Sequence, residues 1–98
     1  MFSYSVFEQE NNKLLAICDA DLVGETIKDA KINFHVSKEF YAQKTCEVEE
    51  AKKLIKSATI INAVGKEIIS VMIKEKIITD NVIRINGVPH AQVIMVQQ

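Results

Sequence analysis

The chain has 98 residues, enough for one domain with a modest core and too few for two independent ones. An apolar fraction of 48% and a charged fraction of 26% are those of an ordinary folded chain and argue against disorder. Twelve basic residues stand against thirteen acidic ones, so the net charge of -1 gives no global attraction to nucleic acid or an anionic membrane, and only a local patch could supply one. Apolar runs such as Ile68 to Ile73 are broken far short of the roughly 20 residues a membrane span needs. Met1 to Val6 has neither the basic nor the apolar part of a secretory signal, and Cys18 and Cys46 fall in no pairing motif. The expectation is therefore a cytoplasmic protein with two reduced thiols.

Phe2, Tyr4 and Val6 alternate with Ser3 and Ser5, the period of a half-buried strand. A polar turn at Glu10 to Lys13 and an apolar run from Leu14 to Cys18 complete a hairpin. With Asn11-Asn12 as its turn, Val6 faces Ile17 and Phe7 faces Ala16. Asp19 to Gly24 reads as a capped single turn closed by Gly24, and capping explains Asp19, Asp21 and Glu25 better than a hard cation does, because evenly spaced oxygen ligands are missing. Lys31 to Ser37 is a third strand, with Ile32, Phe34 and Val36 on its apolar side and His35 on its solvated side. Lys38 to Lys44 has no sustained period and reads as a short turn, in which one of Phe40 and Tyr41 fills the core and the other is free to line a groove.

From Thr45, a candidate N-cap, the period becomes helical: Val48, Ala51, Leu54, Ile55 and Ala58 form the apolar stripe. Acidic residues lead the segment and lysines end it, as the helix dipole favours. The spacings Glu49 to Lys53 and Glu50 to Lys53 suit intrahelical pairs rather than an RNA patch. A second helix is expected from Ser57 to Lys76, apolar nearly all round and hence the most buried. Along it Thr59, Asn62, Lys66 and Ser70 form a polar line, and Gly65 sits where it costs about 1 kcal/mol against alanine. Either Gly65 permits close packing and Asn62 satisfies a backbone group, or Thr59, Asn62 and Lys66 wall a polar site.

Thr79-Asp80-Asn81 ends the helix, and Asn86-Gly87 is the strongest hairpin signal in the chain, since a type I′ turn needs positive φ at both central residues. That turn pairs Ile85 with Val88, Arg84 with Pro89, Ile83 with His90 and Val82 with Ala91. Ile83, Ile85, Val88, His90, Gln92 and Ile94 then share one face, and Val82, Arg84, Pro89, Ala91, Val93 and Met95 the other. Pro89 cannot donate to a ladder, so its strand is expected to be an edge there, bulged, or open toward a partner.

Cys18-Asp19 with Leu22 and Gly24, the pair Phe40-Tyr41, the run Ala58 to Gly65 (Ala-Thr-Ile-Ile-Asn-Ala-Val-Gly) and the run Gly87 to Gln92 (Gly-Val-Pro-His-Ala-Gln) resemble a small archaeal family, a domain of unknown function numbered 424 in its series. The likeness covers essentially the whole chain, and the Gly-Val-Pro-His-Ala-Gln run and the Asn-x-x-Gly spacing are its more specific parts. The resemblance implies a free-standing cytoplasmic archaeal protein of α+β fold. It carries no activity with it, only company near translation or RNA.

The expected architecture is a single α+β domain over residues 1 to 98, a mostly antiparallel sheet of two hairpins plus a middle strand, packed against two helices. Catalysis finds little support: no Gly-x-Ser-x-Gly turn accompanies His35 or His90, and neither cysteine is clearly activated, though Cys46 near a helix start comes closest. Two cysteines and two histidines at unrelated spacings make no zinc site, and three scattered glycines make no phosphate cradle. No cofactor is implied. A binding or adaptor module for a protein or ribonucleoprotein partner fits better, with Arg84, Asn86, Gly87, Pro89, His90 and Gln92 on a rigid ribbon and Asn62, Gly65 and Lys66 as neighbouring candidates. Direct RNA contact is one form of this, and a homodimer through an edge strand is another. The alternative is a small-ligand protein or minor enzyme with a pocket near Asn62, Lys66 and His90.

Overall fold

The computed structural model describes residues 1 to 95. Its amino-terminal alternation folds as expected into an antiparallel hairpin of β1 (Phe2–Gln9) and β2 (Asn12–Asp19). The turn, however, lies at Glu10-Asn11, so Val6 faces Leu15 and Phe7 faces Leu14, two residues away from the expected register. A two-residue slip leaves every side chain on its own face, so the hydrophobic pattern does not tell the registers apart. The turn decides, and the residue that takes positive φ is Glu10, at 56°, rather than an asparagine.

After a 3-10 turn at Ala20–Leu22, β3 (Thr26–Lys28) and β4 (Asn33–His35) make a separate two-stranded hairpin. The expected middle strand is thus β4, and it lies outside the main sheet. His35 is exposed, as expected, its Nδ1 3.0 Å from Thr26 Oγ1 across the hairpin. The segment expected as a turn contains α1 (Lys38–Tyr41), capped by Ser37, whose hydroxyl accepts from the Phe40 N–H at 3.2 Å. Thr45 is not a helix cap but belongs to β5 (Lys44–Cys46), which pairs with β1, and α2 (Val48–Ser57) starts after Glu47.

The largest departure is the second helix. Its first half is β6 (Ile60–Val64), and only α3 (Lys66–Lys74) is helical. The physical reason is burial on both sides. Central strands lack the alternation of half-exposed ones, so Ile60, Ile61, Ala63 and Val64 mimic a helix that is apolar all round. Thr59 locks this strand in place, its hydroxyl accepting from the Lys13 N–H at 2.7 Å and donating to the Lys13 carbonyl at 3.2 Å.

β7 (Ile83–Ile85) and β8 (Val88–Ile94) follow the expected register around Asn86 and Gly87, which have φ of 48° and 79°. The six-stranded sheet runs β5-β1-β2-β6-β8-β7, with β2 and β6 parallel and every other pair antiparallel. One face packs Leu15, Ile17, Ile61 and Ala63 against Ala51 and Ile55 of α2 and Ile68, Ile69 and Met72 of α3. The other packs Ala16, Cys18, Val64 and Ile85 against Ile27, Val36 and Tyr41.

Pro89 is not on an edge. β8 lies inside the sheet and the edges are β5 and β7, three residues each. Proline is tolerated because the Gly65 N–H donates to the Pro89 carbonyl at 3.0 Å, while the Gly65 carbonyl, which would have required a donor in return, accepts from Ile69 N–H in α3.

Candidate functional site

The junction between β6 and α3 fixes what the C-terminal ribbon faces. Gly65 has φ of 127°, and a Cβ there would collide with the Asp19 carboxylate. That carboxylate accepts from the Glu67 N–H at 3.0 Å and the Ile68 N–H at 2.8 Å, capping a helix nearly fifty residues away rather than its own local turn, where its side chain makes no capping bond. Burial raises the Asp19 carboxyl above its ordinary value, while the two N–H groups oppose the rise. Gly65 is therefore a close-approach glycine between strand and helix, and the Thr59-Asn62-Lys66 wall does not form, since Asn62 is on a strand and Lys66 on the helix that follows.

On the helix side of the ribbon, Lys66, Ser70 and Lys74 stand four residues apart along one stripe of α3. Together with Arg84 of β7, Gly87 and Pro89 they line a cleft of 400 Å³. Ion pairs among the described residues engage the N-terminus, Lys13, Lys52 and Lys56; Lys66, Lys74 and Arg84 take part in none. All three are exposed. Lys66 in particular occupies the first helical position, where the dipole disfavours a cation by about 0.3–1 kcal/mol. Among the described residues no carboxylate lines this cleft; the acidic side chains Glu47 and Glu67 line the adjoining one, which shares Lys66 and Lys74.

On the other side, Asn62, His90 and Gln92 line a groove of 330 Å³ with Phe34, Tyr41 and Ile83. Asn62 lies opposite Gln92, Val64 opposite His90, and His90 opposite Ile83. Phe34 meets the His90 ring edge-on at 4.7 Å and the Tyr41 ring at 6.5 Å. His90 Nε2 is buried with no hydrogen-bond partner, and burial lowers the imidazole's pKa, which keeps it neutral. Of the two expected aromatic roles, Tyr41 fills the core and also lines this groove, while Phe40 stacks on Phe7 at 5.5 Å.

The sequence candidates therefore divide. Lys66, Arg84, Gly87 and Pro89 meet on the helix side, Asn62, His90 and Gln92 on the hairpin side, Gly65 supports the junction, and Asn86 sits in the exposed turn. Among the described residues Lys66 and His90 line separate clefts. Ser70 and Lys74 join the site without having stood out as site residues in the sequence, where the successive four-residue steps from Lys66 to Ser70 to Lys74 are the signal that could have found them. Phe34 and Tyr41 gain their place only through the hairpin and turn that carry them over the sheet. Neither thiol is activated: burial pushes Cys18 up to about 12, and Cys46 is raised by burial and then by Glu50 and Glu47.

The fold defines one α+β domain, a mixed, mostly antiparallel six-stranded sheet with an added hairpin and two main helices. No helix among the described residues is long and apolar enough to cross a membrane. The chain belongs to the DUF424 family, described as a protein of unknown function, whose model matches residues 7 to 96. It is also similar to the crystal structure of an uncharacterized conserved protein from Methanopyrus kandleri, at 27% identity and a TM-score of 0.82, over 99% of this chain and 94% of the other. No curated protein matches it.

Proposed function

We propose that this chain is a binding module rather than a catalyst, and that it holds a protein or ribonucleoprotein partner through the cleft between α3 and the C-terminal ribbon. The observation that carries this is the convergence of Lys66, Lys74 and Arg84, three exposed cations without a carboxylate partner among the described residues, on one cleft with Ser70 and Gly87. Like charges held together oppose one another, and an anionic surface would relieve that repulsion while steering its own approach. The near-neutral total charge favours a partner recognised at this patch alone over one drawn in by the whole protein.

The test is capture from a native lysate by the immobilised full chain, with and without nuclease, over a salt series. Wild type is expected to retain a discrete partner that elutes as salt rises, and the triple reversal K66E/K74E/R84E to retain none. Loss of the partner on nuclease treatment would assign it to nucleic acid or a ribonucleoprotein. Equal capture by the triple variant would refute the proposal.

A further inference from the structure

We propose that the groove on the hairpin side of the sheet is a binding site for an uncharged planar ring that presents a hydrogen-bond donor and acceptor side by side on one edge, the chemistry of a nucleobase. This goes beyond the partner proposal and rests on a different face. First, no charged side chain among the described residues lines the groove. The titratable groups that do line it are neutral: burial lowers His90 and pushes the Tyr41 phenol up to about 12. An ion entering here would shed water without meeting a counter-charge.

Second, the groove floor carries two carboxamides. Asn62 and Gln92 are direct cross-strand partners on one face, which sets their Cβ atoms about 5 Å apart. Each amide offers a carbonyl acceptor beside two N–H donors, the edge that pairs with a donor and acceptor on a base. The long-range side-chain hydrogen bonds of the sheet belong to Thr59, Ser5 and Asp19, and neither carboxamide is engaged among the described residues. Asn62 is half-buried in the middle of a central strand, and its unengaged amide opens into the groove.

Third, the walls suit a flat apolar surface. Phe34 is held by two edge-on contacts, with His90 and Tyr41, so its ring is fixed rather than free to collapse into the groove. Ile32 and Ile83 line the same groove while 47% and 71% exposed, leaving large apolar side chains uncovered beside the polar floor. The volume of 330 Å³ falls at the lower end of the roughly 300–1,000 Å³ of ligand pockets, which fits a base or nucleoside rather than a dinucleotide.

The full chain is titrated with adenine, guanine, cytosine and uracil and with orotate, a pyrimidine bearing a carboxylate, followed by ligand saturation transfer and by the side-chain amide signals of Asn62 and Gln92. At least one neutral base is expected to saturate and to move both amide signals. Gln92→Ala, at an exposed position, is expected to weaken it about tenfold, the loss of one hydrogen-bonding group. Asn62→Leu is expected to abolish it, orotate to bind at least about tenfold more weakly than uracil, and K66E/K74E/R84E to change nothing. That last variant separates failure here from failure of the partner proposal. The inference is overturned if no base shows transfer at millimolar concentration, if Gln92→Ala and Asn62→Leu bind as wild type does, if orotate equals uracil, or if the signals that move are those of Lys66 and Arg84.

Discussion

The two faces of the C-terminal ribbon are built from the same strands and differ in charge. Toward α3 the ribbon sends Arg84 and Pro89 into a cleft with two lysines; toward β4 it sends His90 and Gln92 into a groove without a charged lining residue among those described. Strand alternation makes this possible, because adjacent residues in β7 and β8 point to opposite sides and can be chosen independently. What separates the surfaces is therefore one sheet thickness, and what positions both is the β6-to-α3 junction.

Breaking that junction should damage both faces at once. Gly65→Ala forces a Cβ into the Asp19 carboxylate at positive φ and should cost about 3 kcal/mol or more by chemical denaturation. Asp19→Ala removes the cap of α3 and should cost about 1–2 kcal/mol. Because the alanine also clears the space the new Cβ needs, D19A/G65A should cost clearly less than the sum; strict additivity would mean the two residues do not act as one contact.

The cleft should respond differently. Lys74→Glu and Arg84→Glu touch no ion pair and should each shift stability by no more than about 0.5 kcal/mol, whereas Lys66→Glu, which puts an anion at the first position of α3, should raise it by about 0.6–2 kcal/mol; each should weaken capture. Denaturation beside the capture assay distinguishes this from unfolding.

The smallest effect belongs to the uncharged groove. His90 has a pKa lowered in the folded chain, so the unfolded chain binds the proton more readily. Its contribution is fully present above the unfolded value of about 6.5 and is lost progressively as pH falls from there toward the folded pKa. His90→Phe should flatten the stability profile in that window. An unchanged slope would show that the imidazole is not desolvated.

Much of the C-terminal half is legible in the sequence because its signals are local. Asn86-Gly87 fixes a type I′ turn, the turn fixes the register, and the register alone separates Arg84 from His90. β6 is not legible, because a strand buried on both sides has no alternation to show; the β-branched run Thr59-Ile60-Ile61 ahead of Gly65 is the available hint. Asp19 reads as a cap, but of its own local turn, since its true partners, Glu67 and Ile68, become neighbours only when β2 and β6 align in parallel. Pro89 looks like an edge marker for the same reason: the carbonyl that excuses its missing N–H belongs to Gly65. Of the candidate site, the individual residues are visible in the sequence and their division into two surfaces only half so. The α3 stripe and Phe34 depend on long-range packing.

The independence of the two faces is tested most directly by one pair of titrations on the isotope-labelled full chain, followed by NMR at low and physiological salt. A heparin fragment serves as polyanion and, as neutral ring, the nucleoside of the base that saturates the groove. Signals of Lys66, Ser70, Lys74 and Arg84 should move with the polyanion and lose their response as salt rises. Those of Asn62, His90 and Gln92 should move with the nucleoside at either salt. If both probes move the same residues, or both responses fade equally with salt, the two surfaces are one site and the account fails.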